Sequence, residues 1–288
     1  MRRASAIEKE SAQITTIADL TGVFESISST QVAKVKNKVA LSKEFFQLLW
    51  ARYSSIRVDP RSQITNRDLG VEGYAERVFV IISAEAGLSG DIDQRLIETM
   101  MKDHDEKTTD IIVLGSHGAQ MLTQQGIKFS RYFQVPESDS YVDVSPVIEA
   151  VLPYSQVVVY YEEYVSLGVQ GIKKIDLISS MRAMSENVDE ENAITQAETI
   201  FEPSLEEIAD EMEMTMMTLT LSQTILESNL AQAASRFNAM AVAKKHATEL
   251  IGNFALEYHR AKRSESDRRL REVMISLKKK RAHSGGKR

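Results

Sequence analysis

Residues that break helices are spread very unevenly along this 288-residue chain. All five prolines (Pro60, Pro136, Pro146, Pro153 and Pro203) lie in its middle. Nine of the 13 glycines fall between Gly70 and Gly171, leaving Gly22, Gly252, Gly285 and Gly286 for the rest. Proline clashes with the preceding helical turn and lacks an amide donor, and glycine is a poor helix former. Two long uninterrupted arms therefore flank a compact middle. That pattern excludes an ordinary all-β or single α/β domain, and at roughly 150 residues per domain the length allows one large or two ordinary domains.

The C-terminal arm reads as one helix of 75–80 residues between Pro203 and Gly285. At 1.5 Å per residue it would be about 115 Å long. Ser204 and Glu207 form a capping box at its start, and Glu206, Asp210 and Glu211 suit the positive end of the helix dipole. Leu226, Leu230, Ala233, Phe237 and Met240 step by 4, 3, 4 and 3; Lys244, Ala247, Ile251, Phe254, Tyr258 and Ala261 continue the alternation. This is the seam of a left-handed coiled coil, and a lone helix of this length needs a partner in water. The N-terminal arm offers one. Ile17, Leu20, Phe24 and Ile27 make a first stripe, and Val35, Val39, Phe46, Leu49, Tyr53 and Ile56 a second, with Gln31 and Ser42 interrupting. Pro60 ends that helix.

In the middle, short β-rich runs alternate with helical stretches. Strands are expected at Val78–Ile82, Ile111–Leu114, Gln156–Tyr161 and Ile172–Ile178, the last two as a hairpin pair. Helices are expected at Asp91–Met101, Ala119–Gln125 and Val144–Leu152. Such alternation implies a parallel or mixed sheet. Gly87-Leu88-Ser89-Gly90 and Gly115-Ser116-His117-Gly118 each follow a strand. Neither has the three-glycine spacing of a dinucleotide site or the Lys-Ser/Thr of a phosphate loop. The second is weakly similar to the phosphate turn of universal stress proteins, but its spacing to Gly126 is too short. Tight strand-to-helix turns are the favoured reading. Glu162-Glu163 reads as a solvated face, and Met212, Met214, Met216 and Met217 as adaptable packing.

The charge is polarised. The chain carries a formal −6, yet Arg260–Arg288 holds 12 basic and three acidic residues, while Ser185–Glu213 holds 11 acidic and no basic ones. A basic end on an acidic protein suggests an anionic partner. With no cysteine, zinc–thiolate sites, disulfides and thiol nucleophiles are excluded. The histidines have no metal-ligand spacing and no catalytic triad can be assembled, so no catalytic residue, metal or cofactor is expected. No apolar run approaches the 20 or so residues of a membrane span, and the N-terminal MRRASAIEKE lacks the apolar stretch of a secretory signal.

The long arm carries a resemblance. FEPSLEEIADEM (Phe201–Met212) and SQTILESNLAQAASRFNAMAVAKKHATELI (Ser222–Ile251) resemble the C-terminal helix of the gamma subunit of F-type ATP synthases. Tyr258-His259-Arg260-Ala261-Lys262 is similar to that family's Tyr-Asn-Lys-Ala-Arg, and Ser83–Gly90 to its turn Ser-Asp-Arg-Gly-Leu-Cys-Gly-Gly. The chain departs from the family where Gln-Ala-x-Ile-Thr-x-Glu becomes Arg263–Arg269, with Arg269 at the acidic position, and where a small apolar tip becomes Lys278–Arg281.

The resemblance implies a mixed α+β and α/β fold: a long antiparallel coiled coil of N- and C-terminal helices with an inserted Rossmann-like α/β domain. The expected divisions are a helix over 1–59, an α/β domain over 75–183, an acidic linker over 184–203, a helix over 204–281 and a disordered basic tail over 282–288. It implies a rotary shaft without an active site of its own, coupling an ion-driven membrane ring to the catalytic hexamer. Its partners would be the alpha and beta subunits, the epsilon subunit and the c-ring, with no nucleic acid and no membrane insertion, at the cytoplasmic face of the membrane. The residues implied to face partners are Arg260, Lys262, Arg263, Asp267, Arg268, Arg269 and Arg271 on the helix, with Gly87, Leu88 and Gly90 on the α/β domain. Two rivals stay open at this point: a nucleic-acid-binding coiled coil using its basic tail, and an α/β enzyme binding a nucleotide at one of the glycine turns.

Overall fold

The computed structural model describes residues 3–55, 77–106, 108–135, 143–177 and 205–284. Its elements are α1 (Ala4–Ser55), β1 (Arg77–Ile82), α2 (Ile92–Met101), β2 (Thr109–Leu114), α3 (Ser116–Gln124), β3 (Arg131–Phe133), α4 (Ser145–Val151), β4 (Gln156–Ser166), β5 (Val169–Asp176) and α5 (Leu205–Ser284). The last is a single helix of 80 residues. Pro60, Ile56, the acidic run from Ser185 to Phe201 and the expected cap Ser204 lie outside the described residues. Two compact units divide the chain: Met1–Ser26 with Ala239–Arg288, and Ile27–Asn238.

The larger unit is built on one five-stranded sheet of order β3-β2-β1-β4-β5. The β3–β2, β2–β1 and β1–β4 pairs are parallel, and β5 closes the edge antiparallel to β4. Side chains alternate across the sheet, so each central strand feeds two cores. Val78, Val80, Ile82, Ile112, Leu114, Val157 and Val159 face α4 and the Met217–Ile225 stretch of α5. Phe79, Ile81, Ile111, Val113 and Tyr160 face the other way, toward Leu96, Ile97 and Met100 of α2 and Leu122 of α3. The expected strands and helices are present among the described residues; Ile178, the expected end of the last strand, lies outside them. β3 is an addition: three residues long and mostly exposed, it has no apolar alternation to announce it.

Glu162 corrects the sequence reading. Far from lying on a solvated face, it is fully buried: β4 lies inside the sheet, Asp93 of α2 adjoins the Glu162 carboxyl, and Ser228 of α5 reaches its Oε2. Glu163 points the other way and pairs with Lys173 at 3.0 Å. The methionines behave as expected, with Met216 and Met217 buried and Met214 packed against the core.

The smaller unit pairs the start of α1 with the latter part of α5. The backbone amide of Ala4 donates to Glu265 at 3.1 Å, and Lys244 pairs with Glu25 at 2.7 Å. Advancing 21 residues along α1 thus retreats 21 along α5, an antiparallel pairing without slip. Ala4, Ile7 and Ala261 form a small core with Phe254 and Tyr258 against it. On α5 the less exposed positions in this unit include Met240, Ala247, Ile251, Phe254, Tyr258 and Ala261, the expected row.

On α1 the first expected stripe is out of phase. Ile17, Leu20, Phe24 and Ile27 are exposed, at 48%, 53%, 38% and 47%. The sheltered row is displaced by one residue, through Ile14, Ala18, Thr21 and Glu25. Spacing fixes the period of a seam but not its phase, and close helix approach favours small side chains over large ones. In the larger unit the row runs Ser28, Val32, Val35, Val39, Ser42, Phe46 and Leu49. Ser42, read as an interruption, belongs to it.

Gly22 and Gly252, the two glycines inside the arms, do not meet. A Cβ on Gly22 would stand 3.5 Å from Lys244 Cε, whereas one on Gly252 would have nothing within 4 Å.

Candidate functional site

In an open sheet of this topology the strand order reverses between β1 and β4. The crevice beyond the carboxyl ends of those strands is where such folds hold ligands. Here that crevice is occupied by α5. Ser228 Oγ lies 3.3 Å from the Ile82 carbonyl and 3.2 Å from Glu162 Oε2, and Gln232 Nε2 donates to Ser228 at 3.1 Å. Ser235 Oγ donates to the Ser89 carbonyl at 2.6 Å. Arg236, partly buried, donates to the carbonyls of Ala86 and Gly87 at 3.1 and 3.4 Å. Asn238 donates to Leu167 O in the β4–β5 turn at 2.6 Å. Met217, Leu221, Ile225, Ser228, Gln232 and Ser235 recur by 3 or 4 residues and so share one helical face.

Magnitudes separate what holds the helix from what orients it. Each fully buried apolar side chain, such as Leu221 or Ile225, is worth roughly 1.5–3 kcal/mol. A neutral hydrogen bond nets only about 0.5–1.5 kcal/mol. Apolar contact keeps α5 on the sheet. The polar bonds, which are directional, fix its rotation and register. Between Leu230 and Ala234 every residue is buried, so the helix is enclosed on all sides at this height.

Beneath the helix, the turn after β1 is braced from within. Asp93, fully buried in the first turn of α2, accepts from the Ala84 amide at 2.9 Å, from Ser89 Oγ at 3.0 Å and against His117 Nδ1 at 2.9 Å. The Glu85 carboxylate takes the amides of Ser116, at 3.2 Å, and Val135. Ser83 Oγ donates to Leu114 O at 2.8 Å and accepts from the Gly118 amide at 3.1 Å. A Cβ on Gly115 would stand 2.2 Å from Ser83 O at a φ of +101°, and one on Gly118 would stand 2.3 Å from Ser83 Oγ. The second glycine turn is therefore glycine because Ser83 presses against it. Nothing about it calls for a phosphate.

The electrostatics follow from enclosure. Burial and the neighbouring Asp93 push the Glu162 carboxyl well above the usual carboxylate range, and burial draws the Arg236 guanidinium down. Burial also raises Glu227, beside the exposed Lys173–Glu163 pair.

The sequence-derived residues fall into two groups in different units. Gly87, Leu88 and Gly90 form the outer lip of the β1–α2 turn. Leu88 is 56% exposed and adopts a positive φ of 70°, and Gly90 a φ of 75°. Arg260, Lys262, Arg263, Asp267, Arg268, Arg269 and Arg271 are all exposed on α5. Lys262 stands over the Tyr258 ring at 5.5 Å, and Arg268 faces Glu272 at 3.7 Å. Leu270, Val273, Met274, Ile275 and Leu277 are exposed among these charges. The residues of the helix–sheet joint, Asp93, Glu162, Ser228, Gln232, Ser235 and Arg236, were not foreseen as a site. Their one sequence signal was the Ala-Ser-Arg within the Ser222–Ile251 run.

Comparison with known proteins covers nearly the whole chain. The ATP synthase family model matches residues 3–276. The ATP synthase gamma chain of Clostridium botulinum is 20% identical over 279 residues, covering 93% of this chain and 95% of the relative. That of Staphylococcus epidermidis is 20% identical over 271 residues, covering 88% and 91%. Among solved structures, the rotor of the Euglena gracilis mitochondrial ATP synthase superposes with a TM-score of 0.63 at 14% identity, covering 90% of this chain and 98% of the other. The central stalk and c-ring structure of the Tetrahymena thermophila mitochondrial enzyme gives 0.58 at 14% identity, covering 78% and 99%. With its two terminal helices and central mixed sheet, the chain belongs to the ATP synthase family, as a gamma chain.

Proposed function

We propose that the chain is the rotary shaft of an F-type ATP synthase, turning inside an alpha/beta hexamer and carrying torque between it and an ion-driven c-ring. The observation that carries this reading is the match of 93% of the chain to 95% of a gamma chain, on a fold that superposes on a rotor. The joint supports it physically. A shaft must not turn within its own seat, and Ser228, Gln232, Ser235 and Arg236 oppose that rotation with directed bonds. The antiparallel pairing in the smaller unit is read as one end of a coiled coil of α1 and α5. Within the assembly, Arg260–Arg271 faces acidic groups of the hexamer, and the α/β domain, through Gly87, Leu88 and Gly90, faces the epsilon subunit and the ring. The complex sits at the cytoplasmic face of the membrane. Among the described residues no helix is long and apolar enough to cross one.

Neither rival gains support. The switch-point crevice is filled by α5, and Ser83 accounts for Gly115 and Gly118, which removes the ground for a nucleotide site. Co-expression with candidate alpha and beta subunits tests the proposal. A complex holding three of each and one copy of this chain is expected; persistent failure to assemble contradicts it.

A further inference from the structure

Glu162 and Asp93 are both fully buried, and the two oxygens of Glu162 are unequally served. Oε2 receives Ser228, while Oε1 has no hydrogen-bond partner. The groups facing Glu162 can be named element by element. α2 contributes Asp93, within hydrogen-bonding reach, and α5 contributes Ser228, Gln232 and Arg236. α3 contributes His117, whose Nδ1 is committed to Asp93. On β4 the adjacent Glu163 is occupied by Lys173 of β5. Arg236 is a permanent cation facing both carboxyl groups, but its hydrogen bonds go to backbone carbonyls and not to either of them. Two ionised carboxylates side by side in such a space would repel strongly, and Oε1 of Glu162 would carry its charge with no donor to offset its desolvation. One proton resolves both difficulties, since it gives Oε1 a hydrogen to donate and makes Asp93 its acceptor.

We propose that Glu162 and Asp93 share one proton at neutral pH, with Glu162 as the neutral acid, and that this proton holds α5 in its rotational setting at Ser228. The raised affinity of the Glu162 carboxyl for its proton, caused by burial and by Asp93, agrees with that arrangement. The inference rests on the joint alone and not on the rotary reading. Loss of the proton places a second negative charge beneath Ser228, so the turn at Ser83–Gly90 and the helix above it loosen together. The sign of the linkage is fixed. In the unfolded chain Glu162 ionises near about 4.3, whereas the native protein keeps its proton. Over the window between that value and the raised native one, the native state binds more protons. Stability therefore falls as pH rises, and levels off only above the native value.

The test uses the full chain, wild type and Glu162→Gln, a neutral isostere that can still donate to Asp93. Thermal midpoints are recorded from about pH 5 to about pH 9, and the infrared band of a protonated carboxyl is sought at neutral pH in chain carrying isotopically labelled Glu. The expected result is a labelled carboxylic-acid band in the wild type that vanishes in the variant. The difference in Tm should also widen by several degrees in favour of Gln as pH rises. Parallel Tm curves, or no such band in the wild type, would overturn the proposal. So would a wild-type Tm that climbs with added sodium or calcium ion in the absence of the band, which would put a cation where the proton is placed. If Glu162→Gln does not fold, Glu227→Gln takes its place: the band must survive in that variant, and its loss there would overturn the proposal.

Discussion

The same helix is held in two different ways in the two units. In the larger one, α5 is buried around its circumference from Leu230 to Ala234 and tied by side-chain bonds to β1, β4 and two turns. In the smaller one it meets α1 along a narrow row that mixes alanines with Ile7, Phe254 and Tyr258, with polar links such as Lys244–Glu25. Exposed ion pairs of that kind are worth little, typically under about 1 kcal/mol. The difference teaches where specificity lies. Bonds to backbone carbonyls set a single rotational position of α5 in the larger unit. The helix pair of the smaller unit keeps alignment mainly through its 3–4 spacing.

Glycine substitutions sharpen that contrast, because the same change should have opposite signs in the two regions. Gly115→Ala forces a side chain onto Ser83 O at a backbone conformation disfavoured for L residues. Strain of about 1–3 kcal/mol and overpacking of about 1–3 kcal/mol should together cost roughly 2–6 kcal/mol. Urea unfolding followed by circular dichroism measures it, and an unchanged midpoint would mean that the turn is not braced as described. Gly252→Ala is the smaller effect. That position is helical, exposed and free of neighbours, so the variant should be more stable by about 0.5–1 kcal/mol. Slower amide exchange around residue 252 would register it; faster exchange would reveal a contact that the helix pair makes there.

The architecture was largely legible because it rests on local patterns. Breaker-free arms, apolar runs such as Val78–Ile82 and the turn glycines all act within a few residues of themselves. What could not be read depends on tertiary pairing. β3 exists only because Ile112–Leu114 pairs with Arg131–Phe133. The phase of α1 is set by which face suits close approach, and the bulky Ile17, Leu20 and Phe24 pointed to the wrong one. The joint was least legible. Asp93, Glu162 and Ser228 come from distant parts of the sequence, and in isolation Glu162-Glu163 looks like any solvated acidic pair. The glycine turns were legible as turns, and their function as seats for Ser83 was not.

The absence of native cysteine makes the central claim directly measurable, since one introduced thiol is a unique handle. Glu98 is exposed on α2, so Glu98→Cys can carry a bead in a complex of this chain with alpha and beta subunits immobilised on a surface. The shaft account predicts unidirectional, stepwise rotation of the bead on addition of ATP. Sustained ATP hydrolysis in the assembled complex with the bead stationary would contradict it.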